Sequence, residues 1–117
     1  MKQRNTEHFP EKNIAKTTLT VAGSVTPDLN IANVWRIDGA IGDLVVANAT
    51  NVRDCQYLRL EIVSAAATGV DFGVDYLVNG AVIADTTHDG DELVIYEGWY
   101  NADTEKWSMV KLSSLAA

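Results

Sequence analysis

Few side chains in this sequence have both the type and the neighbours that catalysis requires. An acid–base site needs a histidine, or two carboxylates of separated pKa, converging in a pocket. His88 is followed by Asp89 in a turn-rich segment, where this adjacency is typical of turn preference. Cys55 has no His or Lys beside it in the sequence to activate its thiol. We therefore predict no catalytic residue and a protein that is not an enzyme.

Motifs for phosphate, acyl transfer or metal are incomplete. Ser24 follows a glycine, as in a nucleophile elbow, but the second glycine of that motif is absent. Gly39 and Gly42 lack the Gly-Lys-Ser/Thr ending of a phosphate loop. Four acids surround His88, namely Asp85, Asp89, Asp91 and Glu92. Their spacing differs from that of a calcium loop, so we predict no metal site and no cofactor.

Aromatic residues near a predicted turn are the first candidates for binding. Trp99 and Tyr100 end one β-rich run, and Tyr57 begins another. Exposed aromatics of this kind are common where proteins contact carbohydrate or other proteins. The alternative is that Trp99 packs beneath the hairpin as part of the core. We predict Trp99, Tyr100 and Tyr57 as a candidate binding surface.

The first sixteen residues form a second candidate. They carry a charge of about +2, whereas residues 17–117 carry about −9. This segment has no sustained hydrophobic period, so we predict an extended or flexible arm that either stays disordered or folds against a neighbour. The residues predicted to anchor such an arm are Lys2, Arg4, His8, Phe9, Lys12 and Lys16.

Composition restricts the partners. A formal charge of −7 argues against nucleic acid, whose phosphates require a stripe of Lys and Arg. No apolar stretch approaches the roughly 18–20 residues of a membrane span, and we predict no membrane partner.

With 117 residues, 47% of them apolar, the chain can enclose one core. We predict one domain over residues 17–117.

Period-two hydrophobicity predicts strands throughout that domain. The clearest case is residues 57–64, which place Leu58, Leu60 and Ile62 on one face. Predicted strands cover residues 17–25, 29–37, 43–47, 57–64, 69–78, 81–84, 91–97 and 106–112. About eight short strands separated by turns favour an all-β fold, either a β-sandwich or a jelly roll.

Turn residues separate these runs. Asn79-Gly80 predicts a type I′ hairpin, because both central positions need a positive φ. Asp38-Gly39 predicts a turn, residues 85–90 a polar loop, and residues 101–104 the turn of the last hairpin.

Five segments together resemble small β modules of tailed-bacteriophage virions. They are PDLNI at residues 27–31, WRI at 35–37, QYLRLEI at 56–62, DELVIY at 91–96 and KWSMV at 106–110. Such modules occur in tail fibres, head fibres and capsid decoration proteins, commonly as trimers. Cys55 stands where that pattern often has glycine, and no long repetitive shaft is present.

The resemblance implies a virion structural protein of the decoration or head-fibre type, made in the host cytoplasm. It would be a homotrimer whose arm contacts the major capsid protein or another virion component. The alternative is a tail-fibre module that binds a carbohydrate or receptor. On that alternative the aromatic residues contact a surface glycan.

Overall fold

The computed structural model describes residues 14–18, 23–83, 86–88 and 92–116. All regular structure in these ranges is β. The strands are β1 (Ile14–Thr18), β2 (Gly23–Val25), β3 (Val34–Val46), β4 (Tyr57–Phe72), β5 (Tyr76–Val78), β6 (Ala81–Val82), β7 (Thr86–His88), β8 (Glu92–Asn101) and β9 (Lys106–Ala116). The described residues contain no helix that could cross a membrane.

Hydrogen bonds join the strands in the order β1-β3-β4-β8-β9-β5-β6, with β2 on β3 and β7 on β4. The hydrogen-bonded path is continuous, and two parts of it pack against each other as the two sheets of a β-sandwich, so the predicted all-β fold is confirmed. Strand β3 is parallel to β1, β2 and β4, and β5 is parallel to β9. A jelly roll is built from antiparallel Greek keys, so the sandwich is the better description of the two.

The core follows from alternation along the central strands. Leu58, Leu60 and Ile62 of β4 are fully buried, as the sequence predicts. Aromatic rings fill much of the remaining volume, and Phe72 packs edge-on against Tyr96 with ring centroids 5.0 Å apart. The core cluster consists of Val25, Leu29, Ile37, Leu44, Val46, Leu58, Leu60, Ile62, Val70, Phe72, Tyr76, Val94, Tyr96, Trp107 and Met109.

Two hairpins agree with their turn signals. Asn79 and Gly80 have φ values of 54° and 79°, and they join β5 to β6 with Val78 opposite Ala81. This is the type I′ geometry predicted from the dipeptide. Strands β8 and β9 pair in antiparallel fashion around the predicted turn after Asn101.

Two predicted turns or loops and one predicted strand are wrong in part. Asp38-Gly39 does not reverse the chain, because β3 continues through it and absorbs the extra residue as an irregularity in its register with β4. Thr86–His88, predicted as loop, is strand β7 and pairs with β4. The run after residue 28 becomes a strand only at Val34, because the amides of Ile31 and Ala32 instead donate to the Asp28 carbonyl.

The boundaries of other strands also differ from those predicted. Strand β4 is one element of 16 residues that continues past residue 64 to Phe72. It ends before Val74, which is 58% exposed although it lies within the strand predicted over residues 69–78. A turn in which the Tyr76 amide donates to the Gly73 carbonyl breaks the alternation there. Strand β1 begins at Ile14, three residues before the predicted start of the domain at residue 17.

Candidate functional site

Strand register brings two of the three predicted aromatics together. Tyr57, the first residue of β4, lies directly opposite Trp99 near the end of β8. Their rings are tilted by 57° with centroids 5.3 Å apart. Trp99 is 59% exposed, so it does not pack beneath the hairpin as core. Tyr57 therefore supports one side of an indole ring whose other surface faces solvent.

Tyr100 occupies the opposite face of β8. Side chains alternate along a strand, so the residue after Trp99 points toward the core. Tyr100 is half-buried and contacts the buried ring of Trp107 edge-on, with centroids 5.1 Å apart. The predicted surface is thus Trp99 with Tyr57, and Tyr100 contributes at its margin.

A ladder of ion pairs fixes Tyr57. Its hydroxyl donates to Glu97 Oε1 at 2.8 Å, and Arg59 Nη1 donates to the same oxygen at 2.9 Å. Arg59 Nε also donates to Glu61 Oε2 at 2.7 Å. Burial, and secondly the Glu97 carboxylate, raise the pKa of Tyr57 above its usual value. Tyr57 therefore stays a neutral donor, and its ring is held in the orientation that supports Trp99.

The ladder continues onto β3. Arg36 Nη1 lies 3.6 Å from Glu61 Oε1, and Arg36 Nε donates to Asp38 Oδ1 at 3.0 Å. These side chains are between 16% and 40% exposed, so the pairs are partly screened by solvent. Two arginines offset most of the charge of three acids, so this ladder on β3, β4 and β8 keeps a net charge of only −1.

A cleft opens beside Trp99, between the start of β4 and the turn that joins β8 to β9. Its volume is about 410 Å³, and its walls come from Asp54, Cys55, Trp99, Tyr100, Asn101, Asp103 and Ser108. Clefts that hold small molecules typically measure about 300–1,000 Å³. The cleft is therefore large enough for a small ligand, and its walls combine one exposed aromatic with several polar groups.

Backbone hydrogen bonds hold the two walls together. The Cys55 amide donates to the Tyr100 carbonyl at 2.9 Å, and the Tyr100 amide donates to the Gln56 carbonyl at 2.9 Å. Asp54 Oδ1 accepts a hydrogen bond of 3.0 Å from the amide of Ala102. The segment before β4 is thereby tied to the hairpin turn, and the cleft is formed before any ligand arrives.

The turn itself is ordered by Asn101. Its Oδ1 accepts hydrogen bonds from the amides of Asp103 and Thr104, at 2.8 and 3.3 Å. This capping of a turn by its own first side chain is typical of asparagine. Asp103 is exposed at the rim of the cleft, on a turn whose backbone is fixed.

Sequence reasoning missed the polar walls of this cleft. Asn101 is predicted only as a turn residue, Asp54 is not among the predicted binding residues, and Cys55, an exposed free thiol, has no predicted role. Their types are ordinary for turns, so no local signal marked them. Only the pairing of the segment before β4 with the end of β8 brings Asp54 and Cys55 beside Trp99.

The remaining residues that the sequence suggested for anchoring or metal binding either lie outside the described residues or do not line the cleft. Lys2, Arg4, His8, Phe9 and Lys12 lie outside the described residues, as do Asp85, Asp89 and Asp91. Lys16 lies in β1, opposite Arg36 of β3. In the part of the chain that the structure describes, no group of three or more His, Cys, Asp or Glu side chains could hold a metal ion.

Two motifs that the sequence analysis set aside now have positions. Ser24 is an exposed residue of the short strand β2, where it pairs with Val45. Gly39 and Gly42 lie within β3 and are not in a loop before a helix. Neither glycine therefore has the strand-loop-helix context in which a phosphate loop functions.

Comparison with known proteins gives no relative for this chain: no family model matches it, and neither does any curated protein or solved structure.

Proposed function

We propose that this chain is a non-enzymatic structural module of a tailed-bacteriophage particle that acts by assembly and binding. The supporting observation is the position of three of the resembling segments. Residues 57–62, 92–96 and 106–110, which make up most of QYLRLEI, DELVIY and KWSMV, lie in β4, β8 and β9, and these strands are neighbours in one antiparallel unit. The resemblance thus concerns a contiguous part of the fold, although the segments are far apart in the sequence.

Assembly of copies would cover surface that a small β domain leaves open. On the outer face of β8 and β9, Trp99 and Val110 are each 59% exposed. In the adjacent ion-pair ladder, Arg36 and Arg59 offset most of the negative charge, which lowers the repulsion expected between copies of a chain with charge −7. We expect a homotrimer, and sedimentation velocity at high protein concentration tests it. A single monomeric species would contradict the trimer.

Attachment to the particle is assigned to the basic N-terminal segment, with the major capsid protein or another virion component as its partner. Deleting residues 2–13 removes most of that segment, including Lys2, Arg4 and Lys12, and leaves β1 with Lys16 in place. We expect the deleted protein to fold but to stop co-sedimenting with purified particles of the phage that encodes it. A control that replaces Glu7 and Glu11 by Gln keeps the basic residues and should still co-sediment. Unchanged binding after the deletion would remove the segment from the proposal.

A second candidate function is recognition of a carbohydrate, as in a tail-fibre module. The observation that favours it is the cleft, which places an exposed indole ring beside carboxylate, amide and hydroxyl groups. Rigid aromatic surfaces with a few fixed polar groups are typical of small-ligand sites.

The test is a glycan array probed with the parent chain and with Trp99→Ala. We expect the variant to lose at least about tenfold in affinity, as for a central aromatic contact. Val110→Ala is the matched control, because Val110 has the same exposure on the same face and does not line the cleft. No binding by the parent chain, or equal loss in both variants, would count against this function.

A further inference from the structure

The polar walls of the Trp99 cleft are rich in hydrogen-bond acceptors. Asp54 and Asp103 are exposed carboxylates at its rim, and an ionised carboxylate can only accept. Asn101 uses its side-chain oxygen within the turn. A ligand group that satisfies these two carboxylates must therefore donate hydrogen bonds to them.

The charge of the cleft has one sign. None of the described residues that line it is Lys or Arg. Arg53 is the chain neighbour of Asp54 but does not line the cleft, and the Lys106 ammonium is paired with Asp75 at 3.1 Å. The chain as a whole carries −7, so its long-range field acts in the same direction as the rim.

The indole ring adds a second requirement. Trp99 presents a broad apolar face that Tyr57 supports at 5.3 Å, and such a face stacks on the C–H surface of a sugar ring. The negative face of the ring also attracts a cation placed over it. An anionic group close to that face gains neither the stacking of a C–H surface nor the attraction that a cation has for the ring.

We infer that the Trp99 cleft takes a saccharide ring that is neutral or bears a free amine, and that it rejects rings bearing a carboxylate such as uronic and sialic acids. This rests on the proposed recognition of carbohydrate. Hydroxyl and ammonium groups donate to Asp54 and Asp103, whereas a carboxylate on the ligand cannot donate and is repelled by both. At contact distance in water, two such repulsions weaken binding on the order of tenfold.

The experiment is a glycan array with sets matched at one ring position, which carries a hydroxymethyl, ammonium or carboxylate group. It is probed with the parent chain and with the double variant Asp54→Asn, Asp103→Asn. The amides keep the shape of the rim and an oxygen that can accept from the Ala102 amide, and circular dichroism verifies that the variant folds. In the parent chain, neutral members should bind about tenfold more tightly than their carboxylate partners, and amino members, whose ammonium the same carboxylates attract, at least as tightly as the neutral ones.

The double variant should bind carboxylate and neutral members alike. Three results are informative. If the parent binds carboxylate members as well as neutral ones, or if the amide variant keeps the parent's discrimination, the inference is overturned while carbohydrate recognition stands. If the parent binds no glycan in any set, carbohydrate recognition fails and the inference fails with it.

Discussion

Gly98 of β8 occupies a position where the backbone of β9 leaves no room for a side chain. A Cβ at this position would lie 1.9 Å from the Ser108 carbonyl oxygen and 2.8 Å from the Met109 Cα, whereas an ordinary contact begins at 3.4 Å. These are backbone atoms, so no change of rotamer relieves the clash. The Gly98→Ala variant must therefore push β9 away from β8.

The cost can be estimated from the two effects of that displacement. Overpacking a well-packed interior costs about 1–3 kcal/mol. Each weakened ladder hydrogen bond adds about 1 kcal/mol, and we expect a displacement of β9 at this point to weaken about two of them. We expect Gly98→Ala to lower the free energy of unfolding by about 3–5 kcal/mol, and the thermal midpoint by about 10–20 °C.

Urea unfolding followed by tryptophan fluorescence measures this, since the chain contains three Trp. Gly69→Ala is the matched control, because the nearest atom to its new Cβ is the Asp43 side-chain oxygen at 3.1 Å, which belongs to an exposed side chain that can move aside. We expect that variant to stay within about 1 kcal/mol of the parent. If Gly98→Ala were equally mild, the close approach of β9 to β8 at this point would be refuted.

Three further perturbations test separate parts of the fold. Tyr76→Phe removes the hydroxyl that donates to the Ala47 carbonyl at 2.7 Å in a buried position, and should cost about 1–3 kcal/mol in urea unfolding. Gly80→Ala meets no atom within 4 Å, but φ of 79° strains an alanine, so thermal unfolding should show a loss of about 1–2 kcal/mol. The Asn51 side-chain amide is the main cause of the lowered pKa of Asp28. Asn51→Gly removes that amide, and glycine tolerates the φ of 57° at this position. An NMR titration of the variant should show the pKa of Asp28 rising toward 3.8.

Each of these has a result that contradicts it. A Tyr76→Phe variant as stable as the parent would mean that the Ala47 carbonyl finds another donor. A Gly80→Ala variant without loss would contradict the positive φ of the I′ turn. Because the pKa of Asp28 is lowered in the folded state, its contribution to stability is present above the ordinary pKa of 3.8. That contribution is lost as the pH falls through the folded-state pKa. An Asp28 pKa that does not change in Asn51→Gly would show that the Asn51 amide does not act on it.

The strands and hairpins that the sequence predicted correctly depend on contacts close in the chain. Alternation over residues 57–64 identified the buried face of β4, and Asn79-Gly80 identified a turn because its geometry needs positive φ at both residues. The errors lie where a distant partner decides the outcome. Asp38-Gly39 is a good turn dipeptide, yet the long pairing of β3 with β4 keeps the chain extended through it.

The candidate site, like the fold, was only partly predictable from the sequence. Sequence alone nominated Tyr57, Trp99 and Tyr100 from residue type and their positions at the ends of strands. It could not say that register sets Trp99 opposite Tyr57 while alternation turns Tyr100 toward Trp107. Nor could it place Asp54, from one segment, beside Asp103, from another.

What the sequence determined by itself is the all-β class, the faces of the regular strands and the type I′ turn, because hydrophobic period and backbone preference act between residues near one another in the chain. Tertiary structure decided which strands pair, which pairs are parallel, and which polar groups surround Trp99. The physical reason is that alternation fixes the face on which a side chain lies but leaves its cross-strand partner open, and only packing around one core selects the register.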